Sequence, residues 1–331
     1  MPPIFYYIDL ESVKGGRLLD DKIVEAENAP SRAQRILVPN DIIFQTVRPY
    51  QQNNYFYEKE RDLPSIASTG YAVIRTKQDA RFIYSLIHTQ RFLTPVMQRC
   101  TGSSYPAVTG TDLEDISVWI PCLKEQKRIG ALLGLIGKKI DVQTKLIETL
   151  KKYKRGLLST IFSKVTTFVH LKDICEYASS AKTMSQIDNT PKGACPVYDA
   201  GGVAAFVDFY DMDTNYIAII KDGSGVGRLQ FCQAKSSFIG TLGGLIPKNC
   251  SALYLYTALQ TIDFKEYVTG MAIPHIYYKD YKEAMLPYPC EEERAKIEIV
   301  FQYLDDKIAK AELLLTKLNE LKKSFLQQLF I

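Results

Sequence analysis

Two groups of residues in this 331-residue sequence have residue types that occur in chemical sites. Asp115, followed by Glu125-Gln126-Lys127, has a carboxylate–lysine order resembling that of nucleases. However, the second copy of this pattern, Glu293-Arg294-Ala295, lacks the lysine, and both copies fall at the start of a predicted helix. The segment Gly223-Ser224-Gly225-Val226-Gly227 is rich in glycine but lacks the spacing of a dinucleotide fingerprint. We expect it to be a turn whose backbone lies near a ligand or groove.

Other catalytic signatures do not occur in the sequence. It contains no P-loop, no H-E-x-x-H, no G-x-S-x-G and no amino-methyltransferase signature. The seven cysteines are scattered without a C-x-x-C pair, and the three histidines have no ligand spacing with them. We therefore expect reduced thiols, no metal and no cofactor, in a protein that binds rather than catalyses.

The composition suits a water-soluble chain with more than one domain. Its hydrophobic content is 46%, and no apolar run approaches the roughly 20 residues that cross a bilayer. The start, MPPIFYYIDL, has neither a basic region nor a cleavable apolar run. We therefore expect a cytoplasmic protein without a membrane partner.

The second half of the sequence repeats the first at an offset of 168 residues. Residues 101–163 and 269–331 share 15 identities without a gap. The matches include Thr-Gly at 101 and 269 and Pro-Cys at 121 and 289. Helical periodicity alone does not produce such matches, so the repeat indicates a duplicated supersecondary unit.

Each copy ends in a long amphipathic stretch, with apolar residues in alternating steps of four and three. This heptad spacing predicts a coiled coil, and we expect the two copies to pair, antiparallel, so that neither seam faces water. Lys154 and Lys322 interrupt the seam at the same position, either as snorkelling lysines or as residues that set register. The predicted seam residues are Ile129, Ile136, Ile140, Ile147, Leu150, Ile297, Leu304, Ile308, Leu315 and Leu318.

The two globular parts, residues 1–120 and 166–289, are predicted to be small mixed α+β domains. Strand-like apolar runs occur at 41–44, 71–74, 216–220 and 237–239, and helical stretches at 79–93 and 251–260. The remaining segments, 121–165 and 290–331, are the predicted coiled-coil helices. The expected fold is therefore α+β, with two mixed α/β domains joined and followed by long helices.

Positive charge is concentrated in the first long helix. Residues 121–165 carry 11 basic and 3 acidic side chains, whereas the whole chain has a net charge of only +4. Clustered lysine and arginine suit a polyanion such as nucleic acid. A solvated helix face, or one that meets an acidic protein, would have the same composition.

Several motifs, in the same order in both halves, resemble a known family. The segment from Ile120 to Gly130 follows the pattern Pro-x-x-x-Glu-Gln-x-x-Ile that leads into a long helix. Four further segments, Ile43 to Pro49, Gly102 to Pro106, Pro196 to Gly202 and Gly270 to Pro274, resemble the recognition domains of the same family. The chain thereby resembles specificity subunits of type I restriction–modification enzymes over nearly its whole length.

That resemblance implies two target recognition domains, each reading half of a bipartite double-stranded DNA site, with paired helices that fix the spacing. It also implies two methyltransferase subunits and, in some assemblies, a restriction and translocase subunit. S-adenosylmethionine, ATP and Mg²⁺ would be bound by those partners, whose complex methylates adenine and cleaves DNA with ATP. The sequence departs from the family in its first domain, which opens directly at Ile4 and is expected to be N-terminally abbreviated or completed by another chain.

Side chains suited to base or phosphate contact mark the expected DNA surface. Arg48 follows an apolar strand in Val-Arg-Pro, so we expect it at a strand end. The candidates in the first domain are Gln45, Arg48, Tyr50, Arg75, Ser103 and Ser104. Those in the second are Tyr198, Lys221, Ser224, Arg228, His275 and Tyr277. The alternative function is a coiled-coil scaffold that binds proteins without sequence-specific DNA binding.

Overall fold

A computed structural model describes residues 1–270 and 273–330 of the chain. The chain divides into two compact units, the first comprising Met1–Ile147 with Ala311–Ile331 and the second Glu148–Lys310. Each unit contains one globular domain and a part of both long helices. No helix in the described part of the chain is long and apolar enough to span a bilayer.

The globular part of the first unit has the strands β1 Ile4–Ile8, β2 Val13–Lys14, β3 Arg17–Leu18, β4 Lys22–Glu25, β5 Ala33–Ile36, β6 Asp41–Gln45, β7 Tyr55–Tyr57, β8 Ser65–Ser68 and β9 Tyr71–Ile74. It contains a four-stranded sheet in the order β4-β1-β8-β5 and a three-stranded sheet in the order β7-β6-β9. Its helices are α1 Ala80–Leu86, α2 Gln90–Arg99 and α3 Gly110–Glu114, with 3-10 turns at Ala26–Asn28 and Pro49–Gln51. The long helix α4, Leu123–Phe162, follows and has residues in both units. The apolar run in β6 is fully buried, as suits the central strand of its sheet.

The helical stretch expected at 79–93 is divided into two helices. The side chain of Asp79 caps α1 by accepting from the backbone N–H of Phe82, and Thr89 caps α2 by accepting from that of Phe92. The second N-cap lies ten residues after the first, so a new helix begins there and the stretch is not one continuous helix.

The globular part of the second unit has sheets in the orders β11-β17-β14-β15 and β13-β12-β16, and a two-stranded pair, β10-β18. Its strands are β10 Phe168–His170, β11 Cys175–Ser179, β12 Lys192–Asp199, β13 Gly202–Val207, β14 Tyr216–Ile220, β15 Leu229–Cys232, β16 Ser237–Phe238, β17 Leu242–Pro247 and β18 Met285–Pro287. Its helices are α5 Leu171–Ile174, α6 Met184–Asp188, α7 Ala252–Leu259 and α8 Tyr278–Tyr281, with a 3-10 turn at Phe264–Tyr267. The long helix α9, Glu291–Leu329, follows and has residues in both units.

The two globular parts repeat each other strand by strand. β6 lies between β7 and β9 as β14 lies between β15 and β17, and β1 pairs with β4 and β8 as β12 pairs with β13 and β16. Helices α3 and α8 begin 168 residues apart, at Gly110 and Tyr278. The segment of the second unit that carries β10, α5, β11 and α6 has no counterpart among the described residues of the first.

The two long helices pack antiparallel in each unit. In the first unit, Ile129 and Leu133 near the start of α4 cluster with Leu326 and Phe330 at the end of α9. In the second, Lys154 on α4 donates to Asp305 on α9 at 2.5 Å. Among the predicted seam residues, those that are buried are Ile129, Ile136, Ile147, Ile297, Leu304 and Ile308, and those that are half-buried are Ile140, Leu150, Leu315 and Leu318.

Candidate nucleic-acid interface

Two loops meet at the end of β6 in the first unit, and we call residues 46–51 and 101–107 the first loop pair. Val47 bridges Ala107, and the backbone N–H of Arg48 donates to the carbonyl of Pro106 at 2.7 Å. Gly102 turns the second loop with φ +89°, in the left-handed region that favours glycine. These backbone contacts fix the position of the side chains that the two loops present.

Arg48 lies at the centre of the first loop pair, at the strand end where the sequence predicts it. Its guanidinium carbon lies 4.2 Å from the centre of the Tyr105 ring, and Tyr105 is itself exposed. The Arg48 Nε atom is buried and has no hydrogen-bond partner among the described residues. Stacking on the ring holds the cation while leaving its terminal NH2 groups available to an anion or a base edge.

The other candidates of the first unit fall into two groups. Tyr50, Ser103 and Ser104 are exposed on the first loop pair. Gln45 is only 2% exposed, and its amide bonds with the Gln51 side chain and the Asn53 backbone, so it supports the loop from inside. The guanidinium of Arg75 makes two hydrogen bonds to the buried carboxylate of Asp41, at 2.8 and 2.7 Å.

The arrangement recurs in the second unit, where residues 222–228 and the described residues 269–270 and 273–275 form the second loop pair. Asp222 bridges His275, and the N–H of Gly223 donates to the carbonyl of Pro274 at 3.0 Å. Gly223 directly follows the bridging residue Asp222, as Arg48 directly follows Val47 in the first unit. Both have positive φ, +89° for Gly223 and 55° for Arg48. Gly270 has φ +87°, as Gly102 has φ +89°. In the related segment 270–274, Met271 and Ala272 lie outside the described residues.

Polar and aromatic groups surround the second loop pair. His275 Nδ1 lies 2.6 Å from the Asp222 carboxylate, an arrangement that orients the ring and leaves Nε2 for another partner. The Tyr277 ring lies nearly parallel to that of His275, with 6.4 Å between the ring centres, and the Lys279 ammonium lies 5.5 Å from the Tyr277 ring centre.

The remaining candidates of the second unit are placed unequally. Ser224 and Arg228 are exposed on the second loop pair, and a guanidinium N–H of Arg228 donates to the carbonyl of Ala200. Lys221 is half-buried at the end of β14. Tyr198 is buried, and its hydroxyl accepts from the backbone N–H of Gln233 at 3.4 Å, so it belongs to the core.

Sequence reasoning did not single out Tyr105, Asp222 or Lys279. Tyr105 lies inside the segment Gly102 to Pro106, where an aromatic residue between a repeated glycine and a repeated proline was a usable signal. The role of Asp222 depends on its contact with His275, which lies 53 residues away in sequence and comes near it only in the fold. Lys279 lies two residues from Tyr277, so that contact is local.

A model of the type I restriction modification DNA specificity domain matches residues 21–152 and 164–323, which together make up most of the chain. The chain belongs to this family. It is 21% identical over 166 residues to the type I restriction enzyme HindI specificity subunit of Haemophilus influenzae, a match that covers 48% of this chain and 36% of that protein. It is 27% identical over 175 residues to the type I restriction enzyme MjaVIII specificity subunit of Methanocaldococcus jannaschii, covering 49% and 41%.

The fold of this family member matches a solved one. The S subunit of the type I restriction–modification system of M. genitalium superposes with a TM-score of 0.69 at 16% identity, over 99% of this chain and 88% of that one. The matches to the curated relatives span well under two thirds of those proteins' lengths. The expected antiparallel pair of long helices joined to two mixed α/β domains is confirmed.

Proposed function

We propose that the chain is the DNA-binding specificity subunit of a type I restriction–modification enzyme, whose two loop pairs each read one half of a bipartite double-stranded DNA target. The observation that carries this proposal is that the same two-loop construction occurs in both units. The first loop pair places the Arg48 guanidinium over the exposed Tyr105 ring, and just after the second loop pair the Lys279 ammonium lies over the exposed Tyr277 ring. Such groups serve phosphate and base-edge contact.

The side chains of each loop pair suit different DNA groups, some the base edges and others the phosphates. The Arg48 guanidinium suits the two acceptors of a guanine edge, and the neighbouring Ser103 and Ser104 hydroxyls suit phosphates. In the second unit, the contact of His275 Nδ1 with Asp222 leaves Nε2 to face a base edge. Ser224 and Arg228 flank that position on the same loop.

The positive charge of α4 supports a contact with the DNA backbone. Most of its cationic side chains are exposed, and residues 121–165 carry the excess of positive charge noted above. Contacts of this type add affinity that depends on salt and not on base sequence.

Exposed apolar residues on the long helices support the docking of two methyltransferase subunits. Leu132 and Leu135 on α4 and Val300 and Tyr303 on α9 lie outside the seam, and they occupy equivalent positions of the two copies. A repeated apolar site suits a repeated partner. In this proposal the chain is a non-catalytic cytoplasmic subunit. The methyltransferase and any restriction subunit bind S-adenosylmethionine, ATP and Mg²⁺.

The decisive experiment is co-expression with methyltransferase subunits in a host without adenine methylation, followed by genome-wide mapping of methylated adenines. We expect a split motif with two fixed halves and a constant spacer. A complex that can be purified with its methyltransferase but creates no methylated motif would contradict the proposal. That result would favour the protein-binding scaffold.

A further inference from the structure

A cavity of about 420 Å³ lies within the first unit, among α1, β7 and the two long helices. Its walls include Tyr84 of α1, Gly137 of α4 and Lys322 of α9. The tip of the β2–β3 hairpin, at residues 15–16, also lines it. This hairpin is an addition of the first unit, since only residues 200–201 separate β12 from β13 in the second. The volume is in the range of sites for small molecules.

The cavity contains a lysine whose ammonium has no partner in contact. Lys322 is half-buried, and none of the described residues forms a hydrogen bond or ion pair with its ammonium. The two carboxylates of the wall are engaged elsewhere. Glu58 accepts from Lys138 at 3.0 Å, and Asp141 lies 3.7 Å from Arg17. Burial lowers the pKa of Lys322, and Asp141 only partly offsets this effect from beyond ion-pair distance.

The second unit shows how the equivalent lysine is satisfied. At the 168-residue offset this lysine is Lys154, which donates to Asp305 at 2.5 Å and lies 5.8 Å from the centre of the Tyr256 ring. Tyr256 is the fifth residue of α7, as Tyr84 is the fifth residue of α1. Both units therefore place a lysine beside a tyrosine. The carboxylate differs, because the counterpart of Asp305 is Gly137.

The loss of this side chain leaves room in the wall of the cavity. A Cβ at Gly137 would meet no atom within 4 Å. Gly134, one turn earlier, corresponds to Gln302, so a second side chain is replaced by glycine in the same wall. Beside this space lie the stacked rings of Phe56 and Tyr84, whose centres are 5.8 Å apart. The first unit thus has a cation and aromatic rings around the place where the second unit has a carboxylate.

We propose that this cavity binds a small organic acid, whose carboxylate pairs with Lys322 as Asp305 pairs with Lys154. Its planar apolar body would lie against Phe56 and Tyr84. The charge of the wall agrees, since five cationic and two acidic side chains are among the described residues that line it. An ammonium that has lost part of its water interacts more strongly with a carboxylate than an exposed one does. The proposal does not depend on DNA binding, because the cavity shares no residue with either loop pair.

The test titrates the full chain with benzoate by isothermal calorimetry. Benzamide is the uncharged probe of the same shape, and inorganic phosphate is the anion without a ring. We expect benzoate to bind and both comparison probes to bind at least about tenfold more weakly. Absence of benzoate binding, or equal binding of either comparison probe, would overturn the proposal.

Two variants of the chain locate the site. Lys322→Met removes the ammonium and should weaken benzoate binding at least about tenfold. This variant should fold, because it removes a partly buried charge that has no carboxylate in contact. Gly137→Asp keeps Lys322 but gives it a carboxylate from the chain itself, which should exclude benzoate to a similar extent.

The matched controls are Gly137→Ala and Lys139→Met. The first adds a Cβ without a carboxylate, and the second removes a positive charge from an exposed position of α4 outside the cavity. Both should bind benzoate within about twofold of the unaltered chain. Benzoate binding that survives Lys322→Met or Gly137→Asp, or that Lys139→Met weakens as much as Lys322→Met does, would overturn the proposed site.

Discussion

The side-chain amide of Gln143 donates a 2.9 Å hydrogen bond to the backbone carbonyl of Ala311, and these two residues occupy the same heptad position in the two copies of the repeat. The antiparallel helices therefore face each other at equivalent positions. A polar residue in an apolar seam favours the register in which its hydrogen bond forms. The Gln143 hydrogen bond thus favours the register in which residues 168 apart in sequence lie opposite each other.

Gly137→Asp tests this correspondence through Lys322. At the 168-residue offset, Lys154 corresponds to Lys322, and its partner Asp305 corresponds to Gly137. Lys322 therefore faces a glycine where Lys154 has a carboxylate. Burial lowers the pKa of Lys322, partly offset by Asp141. A Cβ at Gly137 meets no atom within 4 Å. We expect Gly137→Asp to raise the free energy of unfolding by about 1 kcal/mol or more, measured by urea denaturation.

The matched control is Gly137→Ala, which adds helix propensity without a carboxylate and should gain up to about 1 kcal/mol. The aspartate has the poorer intrinsic helix propensity, so it exceeds alanine only if it pairs with Lys322. A stability of Gly137→Asp below that of Gly137→Ala would contradict the predicted pairing.

Asp305→Asn should destabilise the second unit, because it leaves the Lys154 ammonium without its carboxylate. The Lys154 side chain is 14% exposed, whereas that of Asp305 is 35% exposed, which lessens the effect through solvent screening. We expect a loss of about 1 to 2 kcal/mol in a denaturation experiment. The double variant with Lys154→Met should recover most of the loss, and additive losses would show that the two side chains do not interact.

The first unit should lose stability in mild acid through His88. Its Nδ1 lies 2.7 Å from the carbonyl of Tyr84 and its Nε2 lies 3.4 Å from the Asn54 amide nitrogen, contacts that fit the neutral ring. Burial lowers the pKa of His88 to about 4 from 6.5. The unfolded chain therefore binds the proton first as pH falls, and stability decreases from about pH 6.5 to pH 4.

The measurement is the melting temperature of the first unit's transition between pH 7 and pH 4, by calorimetry. A His88→Gln variant, whatever its own stability, should show a shallower dependence on pH over that window. An unchanged slope would mean that other groups, such as the carboxylates of the domain, account for the acid sensitivity.

Arg48→Ala should lower the affinity for the native DNA target by about 5- to 150-fold, corresponding to the loss of one base-reading contact of about 1 to 3 kcal/mol. The control is Arg35→Ala, which removes the same charge from an exposed position on β5. Both affinities are measured by fluorescence anisotropy at one salt concentration, against the target and a scrambled site. Equal effects of the two variants on the target would show that Arg48 supplies charge alone.

Gly102→Ala should distort the first loop pair. The residue has φ +89°, and an added Cβ would lie 3.1 Å from the Tyr105 carbonyl oxygen. We expect a loss of about 1 to 2 kcal/mol in unfolding free energy, together with weaker DNA binding. Gly110→Ala is the matched control, since a Cβ there meets nothing within 4 Å. A Gly102→Ala protein as stable as this control would contradict the role given to the turn.

The sequence by itself determined the repeated plan of the protein. It shows the 168-residue offset and the heptad spacing, which are repeats of fixed period, and the short apolar runs of β6, β9 and β14. Such patterns can be recognised in the sequence without knowledge of the fold. The sequence also predicted that Arg48 lies at a strand end, because an apolar run precedes it and a proline follows it.

Only the tertiary structure decided which polar side chains are available for binding. Arg75 and Arg48 look alike in sequence, yet the buried carboxylate of Asp41 engages the first, whereas the Tyr105 ring holds the second at the loop surface. Each of these outcomes depends on partners that are distant in the chain, and no local period encodes the contacts between distant segments.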